Sequence, residues 1–359
     1  MQAPPKSRLV GCLLGGALGD ALGYPIEFER PGAALLARYG AAAPVSLRFA
    51  DAARGGLVSD DTQMTLFTAE GLIRARLSRA TDPTPHLLRA YQRWYTTQAM
   101  RATQVVATPP RGQGLLLADA RMHARRAPGN TCLAALAASF MGRAPATVAD
   151  PPNDSKGCGA VMRSAPFGLV AASREQAFQQ ARDAGVLTHG HPSGYLSSAY
   201  FASLIFDLSR DQPLEAALNH ADALLEREAG AEETRESLLR ARALAAQGAP
   251  GAQAIEQLGG GWTGEEALAI AVAVALTAGG RSSQHVAEAL WRAVAHGGDS
   301  DSTGSLVGNL LGAMHGSEAL PASWLAELEL CDLIETMAVD LWASFLDGKA
   351  PDRGAYPPG

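Results

Sequence analysis

The sequence predicts an all-α fold, and three observations support that prediction. Apolar residues recur at the three- and four-residue spacing of helices along most of the chain. Alternation at every second residue, which is typical of half-buried strands, is almost absent. Residues that favour helix starts, including Asp60, Pro213 and Ser282, stand directly before apolar repeats. We therefore expect one compact helical domain over residues 1–346 and an irregular, proline-containing tail over residues 347–359.

The first predicted helix, residues 9–22, is apolar, is interrupted by glycines and carries Asp20 near its end. It is too short for a membrane span and lacks a signal-peptide cleavage pattern, so we interpret it as a buried helix whose glycines permit close packing. The other predicted helices cover residues 62–75, 195–208, 214–225, 265–276, 286–294 and 306–314. Glycine-rich joints, where functional residues tend to gather, lie at residues 55–60, 108–114, 151–159, 259–264 and 296–301.

Composition excludes several classes of protein. Of 359 residues, 47% are hydrophobic and only 18% are charged, which argues against a disordered chain. The net charge of -6 and a pI near 5.8 argue against a general nucleic-acid binder. The four cysteines show no CxxC spacing and no neighbouring histidine cluster, so neither a zinc knuckle nor a disulfide scaffold is expected. These features predict a monomeric cytoplasmic protein without a membrane partner.

Two short acidic motifs are the main candidates for a functional site. The first, SDDT at residues 59–62, precedes a helical repeat, and helix capping would account for one of its carboxylates. Capping hardly explains both Asp60 and Asp61, because adjacent carboxylates repel each other unless a cation neutralises them. From these residues alone, capping and cation binding are equally open interpretations.

The second motif, DSDS at residues 299–302, follows a glycine pair and precedes another helical repeat. Its members could simply be turn and N-cap residues. In an extended loop, however, alternate side chains point the same way, so Asp299 and Asp301 would aim at one point and Ser302 would add a hydroxyl oxygen. Beside Asp60 and Asp61, this oxygen-only set suits one or two Mg²⁺ or Mn²⁺ ions and does not suit zinc.

Glu27 follows the first predicted helix, between Ile26 and Phe28. It is either an ordinary surface residue or a catalytic carboxylate. The glycines of the preceding helix could imitate a dinucleotide-binding fingerprint, but no strand precedes them, so close helix packing is the better interpretation.

An ordered set of motifs resembles the ADP-ribosylglycohydrolase family, the group that includes dinitrogenase reductase-activating glycohydrolase and the ADP-ribosyl-acceptor hydrolases. The motifs span about residues 8–316 and are, in order, GALGDALGYPIEF, SDDTQMT, SKGCGAVMRSAPFG, LTHGHPSGY, GGGWTGEEALAIA and GGDSDSTGSLVGNLLGAMHG. The resemblance implies an orthogonal all-α bundle with two Mg²⁺ or Mn²⁺ ions between the SDDT and DSDS segments. It implies as metal ligands Ser59, Asp60, Asp61, Asp299, Asp301 and Ser302. Glu27 matches the glutamate near the scissile bond, and Asp60 and Asp61 are its candidate catalytic partners.

The resemblance also implies a substrate-binding set. The loop whose backbone amides cradle the diphosphate is matched by Ser155, Lys156, Gly157, Cys158 and Gly159. Lys156 stands where some relatives carry an aromatic residue, so the resemblance does not imply adenine stacking at that position. His189 matches a histidine that borders the substrate, and Trp262 matches a family segment. The competing interpretations are a helix-start role for His191, a core role for Trp262 and a small buried hydrophobe at Cys158.

The implied reaction suits these residue types. An ADP-ribosyl bond breaks at the anomeric carbon through an oxocarbenium-like state, which needs an acid/base carboxylate and an electrophile near the ribose diol. We therefore predict a hydrolase that separates ADP-ribose from an acceptor, either a protein side chain such as arginine or serine or a small ADP-riboside. The alternative is a non-catalytic ADP-ribose binder or crystallin-like structural relative. A helical His-Asp phosphohydrolase is less favoured, since two glycines separate His296 from Asp299.

Overall fold

The computed structural model describes residues 3–99 and 114–358, and this part of the chain contains 17 α-helices and no strand. The all-α prediction is confirmed. Of the glycine-rich joint at 108–114, only Gly114 lies within the described residues. In chain order the helices are α1 (Lys6–Gly23), α2 (Gly32–Tyr39), α3 (Asp60–Leu77), α4 (Thr84–Ala99), α5 (Leu115–Ala118), α6 (Asn130–Phe140), α7 (Ala165–Val170), α8 (Arg174–Val186), α9 (Pro192–Leu208), α10 (Leu214–Leu225), α11 (Glu232–Ala245), α12 (Ala252–Ile255), α13 (Gly264–Leu276), α14 (Ser283–Val294), α15 (Ser300–His315), α16 (Ala322–Leu325) and α17 (Cys331–Trp342).

Each helix predicted from the sequence is present, and one boundary changes the interpretation of a site. Helix α15 begins at Ser300, with Asp299 as its N-cap residue. The prediction that Asp299 and Asp301 lie in an extended loop is therefore wrong. The Asp299 carboxylate accepts a hydrogen bond from the Ser302 amide, and this capping interaction draws the motif into the first turn of the helix.

Helices α1 and α15 form an antiparallel pair at the centre of the fold. Their glycines face each other along the whole contact, so the two backbones touch. A Cβ atom on Gly308 would stand 1.9 Å from the Gly15 carbonyl oxygen, and one on Gly19 would stand 1.9 Å from the Gly304 carbonyl oxygen. Four-residue spacing places these glycines on one face of each helix. The glycines of the first motif thus serve close helix packing, as the sequence predicts.

The remaining large helices surround this pair. Helix α3 packs on α4 and α17, α9 packs on α8 and α7, and α13 packs between α11 and α15. This packing brings the C-terminal end of α1 and the N-terminal ends of α3 and α15 to the same region of the molecule. The functional motifs are carried by these three helix ends.

Helix α1 is the strongest candidate for a membrane span by composition. The segment Lys6–Ile26 has a mean hydropathy of 1.4, but 94% of its apolar window is buried inside the protein. Its apolar residues therefore pack in the protein core, as expected for the central helix of the α1/α15 pair.

The C-terminal tail is irregular but packed. Between Gly348 and residue 358 the chain forms only turns and coil. Tyr356 is buried, and its hydroxyl donates to an Asp340 carboxylate oxygen at 2.7 Å. The Leu115 amide donates to the Ala355 carbonyl at 2.9 Å, which ties the tail to α5.

Candidate active site

A cavity of about 210 Å³ lies where the ends of α1, α3 and α15 meet. Most of the site residues predicted from the sequence line this cavity. The lining residues are Glu27, Asp60, Asp61, Ala127, Gly129, Asn130, Thr131, Cys132, Gly157, Cys158, Gly159, Met162, His189, Trp262, Asp299, Asp301 and Ser302. Ser59, Ser155 and Lys156, also nominated, do not line this cavity.

Asp20 joins helix α1 to the start of α3. Its buried carboxylate accepts hydrogen bonds from the Ser59 amide at 2.9 Å and from the Thr62 hydroxyl at 2.5 Å. The Thr62 amide donates to the same carboxylate at 3.1 Å. Asp20 thus satisfies amides at the N-terminus of α3 that have no partner within the helix. The sequence analysis missed this role, and the available signal was a single carboxylate inside an otherwise apolar helix.

The SDDT motif caps helix α3 and also places two carboxylates at the cavity. Ser59 is the N-cap residue of α3, and its hydroxyl accepts from the Asp61 amide at 3.2 Å. Asp60 lines the cavity and accepts from the Gly129 amide at 3.0 Å. The Oδ1 atom of Asp61 is buried and has no hydrogen-bond partner. Capping therefore accounts for Ser59, and the two aspartates face the cavity.

The DSDS motif lies opposite, at the start of α15. The Asp301 carboxylate accepts from the Ser302 amide at 3.0 Å. The Cys158 thiol donates to Asp299 Oδ2 at 3.0 Å, and the Ser302 hydroxyl lies 3.6 Å from the same sulfur. Cys158 is thus a polar contact of the acidic cluster as well as a small side chain in the cavity wall.

Glu27 belongs to the same cluster. Carboxylate oxygens of Glu27, Asp299 and Asp301 lie within 4.8 Å of one another. Glu27 is only 6% exposed, and its Oε2 atom has no hydrogen-bond partner. The interpretation of Glu27 as an ordinary surface residue is therefore wrong.

Burial and mutual repulsion dominate the electrostatics of this cluster. Burial, followed by the charges of Asp301 and Asp299, raises the pKa of Glu27 to about 10. Burial, followed by the Asp301 charge, raises the pKa of Asp20 to about 7. Burial also raises the pKa values of Asp60, Asp61 and Asp301 well above the ordinary aspartate value. Among the described residues, no basic side chain forms an ion pair with these carboxylates.

The cluster fits divalent cations. Glu27 and Asp61 line a shared cavity, and each has one buried carboxylate oxygen without a hydrogen-bond partner. Buried carboxylates without counter-charges are strongly disfavoured as anions. Carboxylate and hydroxyl oxygens are the ligands preferred by Mg²⁺ and Mn²⁺. Asp60, Asp61, Asp299, Asp301 and the Ser302 hydroxyl can supply them.

The loop at residues 155–159 forms one wall of the cavity. It pairs with the segment before α13 through an isolated bridge between Gly157 and Thr263. The Cys158 amide donates to the Trp262 carbonyl at 3.1 Å, and the Gly157 amide donates to the Ser155 hydroxyl at 3.3 Å. The Ser155 amide donates to the Asn153 side chain at 3.0 Å. Three of the five amides thus donate to groups inside the protein and are not free to bind a diphosphate.

The side chain of Lys156 is engaged with acidic residues beside the loop. Its ammonium group forms ion pairs with Glu233 and, at 3.3 Å, with Glu265. The Ser193 hydroxyl also donates to Glu233. Through these ion pairs, Lys156 connects the outer side of the loop to α11 and α13.

Two ring systems border the cavity on the same side. His189 is 2% exposed, and Gly159 must lack a side chain because a Cβ atom there would stand 2.9 Å from His189 Cε1. The Trp262 ring stacks on Phe28 with centroids 6.1 Å apart, and the Arg30 guanidinium lies 5.1 Å from its centre. Trp262 is therefore a cavity residue and not a core residue. His191 is the N-cap of α9.

Sequence reasoning also missed the segment before and within the start of α6. Ala127, Gly129, Asn130 and Thr131 line the cavity, and Ala127 has a positive φ of 45°. The Thr131 hydroxyl lies 3.0 Å from that of Ser155. The Pro-Gly-Asn sequence at residues 128–130 signals only a turn, and nothing local indicates that this turn meets the SDDT motif.

Comparison with known proteins identifies the family of this chain. The family model described as ADP-ribosylglycohydrolase matches residues 1–350. A solved structure described as an ADP-ribosylglycohydrolase-related protein complex is similar at 25% identity with a TM-score of 0.66. The similarity covers 95% of this chain and 99% of that chain. The family model and the similar all-α structure both cover nearly the whole chain. The chain therefore belongs to the ADP-ribosylglycohydrolase family.

Proposed function

We propose that the protein is a divalent-metal-dependent glycohydrolase that cleaves the bond between ADP-ribose and an acceptor. The acceptor is a protein side chain such as arginine or serine, or the leaving group of a small ADP-riboside. The observation that carries this proposal is the clustering of Glu27, Asp299 and Asp301 within 4.8 Å, in a cavity shared with Asp60 and Asp61. A carboxylate that can move a proton therefore lies beside a set of cation ligands.

Two Mg²⁺ or Mn²⁺ ions are the proposed cofactors. Asp60, Asp61, Asp299, Asp301 and Ser302 would hold them, and Ser59 remains a predicted ligand whose hydroxyl lies 3.3 Å from Asp61 Oδ2. When bound, such cations supply Lewis-acid polarisation of ribose and water oxygens. Asp20 and the Gly129 amide hold the start of α3 and Asp60 in place, so the ligands are pre-positioned.

Glu27 is the proposed acid/base group, with Asp60 and Asp61 as its catalytic partners. In the hydrolysis, a water oxygen bonds to the anomeric carbon, the bond to the acceptor breaks, and one proton passes from water to the acceptor. Glu27 can carry that proton because its side chain lines the cavity and its Oε2 atom has no hydrogen-bond partner. Burial, followed by the charges of the neighbouring carboxylates, raises its pKa, which favours the proton-bearing form.

The size of the cavity indicates which part of the substrate it can enclose. At about 210 Å³ it is smaller than the roughly 300–1,000 Å³ pockets that enclose drug-sized ligands. We infer that it receives the ribosyl end and the adjacent phosphate, near Gly157, Cys158, Gly159 and His189. Trp262 and Phe28 then offer an aromatic surface at the rim for the remainder of the substrate. Ser155 and Lys156 would support the loop from outside the cavity.

We further propose that the protein acts in the cytoplasm as a monomer, with no membrane or general nucleic-acid partner. The burial of α1 in the core, the cysteine pattern and the net charge of -6 support this proposal. Its partners would be ADP-ribosylated proteins or small ADP-ribosyl compounds.

The test is hydrolysis of a panel of substrates with Mg²⁺, Mn²⁺ or EDTA. The panel contains peptides ADP-ribosylated on arginine or on serine and a small ADP-riboside, with release of ADP-ribose as the readout. We expect release from at least one substrate only when a divalent ion is present, and its loss in Asp301→Asn. Asp150→Asn is the matched control, since Asp150 is exposed and does not line the cavity. ADP-ribose binding without turnover on any substrate would favour the non-catalytic binder.

A further inference from the structure

Arg163 is a buried cation behind the cavity wall. It is 1% exposed, and within the described residues it has no carboxylate at ion-pair distance. Its guanidinium lies 4.2 Å from the Tyr91 ring centre and donates to the Ala184 carbonyl at 3.3 Å. A buried arginine is costly unless its donors are used, so each of its contacts indicates what it supports.

The strongest of these contacts leads to His189. Arg163 Nη2 donates to the Thr188 hydroxyl oxygen at 2.7 Å. A guanidinium can only donate, so the Thr188 hydroxyl accepts this bond and its own hydrogen remains free to be donated. His189 Nδ1 lies 2.9 Å from the hydroxyl, whereas the Gly185 carbonyl lies 3.5 Å away. The Cys132 thiol is also near Thr188, but a thiol is a weaker acceptor than an imidazole nitrogen.

The shorter distance to His189 Nδ1 favours donation of the Thr188 hydroxyl hydrogen to that nitrogen over donation to the Gly185 carbonyl. Burial, followed by the Arg163 charge, lowers the pKa of His189 to about 3, so the ring is neutral. A neutral ring that accepts at Nδ1 has its hydrogen on Nε2. The Nε2 edge faces two glycines, since Cβ atoms on Gly157 and Gly159 would stand 3.4 Å and 3.2 Å from that nitrogen. The N–H group is thus directed at the loop and the cavity.

We propose that Arg163 and Thr188 are positioning residues that lock His189 as the Nε2–H tautomer, so that it donates a hydrogen bond to a ligand oxygen. The donor group and the positive charge behind it both favour an oxyanion, such as a phosphate oxygen. His189 is then a binding residue that cannot act as a base through Nε2. The identity of the ligand rests on the proposed function, whereas the tautomer is a property of the free protein.

The tautomer can be observed directly in the free protein. In ¹⁵N-histidine-labelled protein, two-bond ¹H–¹⁵N correlation spectra distinguish protonated from unprotonated ring nitrogens. His189→Gln identifies the His189 signals among those of the eight histidines. We expect a protonated Nε2 and an unprotonated Nδ1 throughout the neutral range. A protonated Nδ1 would overturn the proposal whether or not the protein hydrolyses any ADP-ribosyl bond.

Two substitutions at Thr188 test the positioning role. Thr188→Val preserves shape but removes the hydroxyl, so we expect mixed tautomers of His189 and about two- to tenfold weaker ADP-ribose binding. Thr188→Ser keeps the hydroxyl and should restore both properties. Affinity for Mn²⁺ should be unchanged in each variant, because His189 is not among the cation ligands.

The results separate this proposal from the proposed function. If Thr188→Val keeps a pure Nε2–H tautomer and full ADP-ribose affinity, the positioning role is refuted. If Thr188→Val does not fold, the wild-type spectrum and the Thr188→Ser comparison still decide the tautomer. If the wild-type protein shows the expected tautomer but neither binds nor hydrolyses ADP-ribosyl compounds, the proposed function fails while the tautomer assignment stands.

Discussion

At the scale of single residues, Glu27 lies in an environment that disfavours its charged form. Its carboxylate is buried beside Asp299 and Asp301, and one of its oxygens has no partner. Burial and the neighbouring charges raise its pKa to about 10, so without cations it is neutral at neutral pH. Glutamine therefore resembles the cation-free form of this side chain in size and charge.

The change Glu27→Gln should separate catalysis from folding. A positioned acid/base group contributes about 10²- to 10⁴-fold in rate, so we expect at least a hundredfold loss of turnover. The melting temperature in EDTA should stay close to that of the wild type, because a neutral side chain replaces a neutral one. Release of ADP-ribose and thermal melting measure the two effects.

Glu29→Gln is the matched control for this change. Glu29 is two residues away and pairs with Arg38 on the surface, so its substitution should leave turnover nearly unchanged. Near wild-type hydrolysis by Glu27→Gln would transfer the proton-handling role from Glu27 to Asp60 or Asp61.

At the scale of elements, the α1/α15 pair links helix packing to the site. Gly23, at the end of α1, lies so close to the start of α15 that a Cβ atom would stand 2.3 Å from the Ser300 carbonyl oxygen. Glu27 follows α1 directly, and Asp299 and Asp301 flank Ser300. The distance between the two helices therefore sets the distance between Glu27 and the two aspartates.

Gly308→Ala tests this link. Alanine favours an isolated helix by about 1 kcal/mol, but its Cβ would stand 1.9 Å from the Gly15 carbonyl oxygen, which is part of a buried backbone. Overpacking of this kind typically costs about 1–3 kcal/mol. We expect lower stability in urea unfolding and weaker Mn²⁺ binding in calorimetry, as the helices are pushed apart.

The control for the helix substitution is Gly251→Ala. No atom lies within 4 Å of a Cβ placed there, and its φ of -81° suits any residue. It should leave both stability and Mn²⁺ affinity nearly unchanged. If Gly308→Ala behaved in the same way, the glycine contact would not control the geometry of the acidic cluster.

At the scale of the whole molecule, folding brings together six carboxylates, those of Asp20, Glu27, Asp60, Asp61, Asp299 and Asp301, in one buried region. Each has its pKa raised above the ordinary value. The folded protein without cations therefore binds more protons here than the unfolded chain does. Stability contributed by such groups is present at low pH and is lost as pH rises through the folded-state pKa values.

This linkage predicts a pH-dependent effect of cations. In EDTA, the melting temperature should fall between about pH 7 and about pH 9, because folded Glu27, with a pKa of about 10, keeps a proton that the unfolded chain has released. His189 and His296, whose pKa values burial lowers to about 3 and about 4, act in the opposite direction only below about pH 6.5. The chosen range therefore excludes the opposing effect of these two histidines.

Added Mg²⁺ or Mn²⁺ should reverse that fall. At about 100 times its dissociation constant, a cation that binds only the folded state adds roughly 2.7 kcal/mol, and the gain should be larger at high pH. Asp301→Asn should lose most of the gain. Calorimetric scans showing equal cation shifts in both proteins, or stability in EDTA that rises over this pH range, would contradict a cation site at this cluster.

Local sequence patterns were enough to predict the helices, the acidic motifs and the glycine-lined faces on which α1 and α15 pack. These features depend on the spacing of residues that are close in sequence. Apolar residues at the helical period predict helices, and capping residues mark where the helices begin. Glycines spaced four residues apart predict a helix face that can pack closely on another helix. The SDDT and DSDS residue types also limited the candidate cofactor to hard divalent cations. The sequence resemblance supplied the expected role of Glu27, which spacing alone left open.

The tertiary structure alone decided which of these residues meet. Asp20 binds the start of α3, Lys156 turns to Glu233 and Glu265, and Arg163 reaches His189 through Thr188. Asp299 and Asp301 lie at a helix start because the Ser302 amide is capped there. These contacts join residues far apart in sequence, and they depend on how closely whole helices pack, which no local pattern encodes.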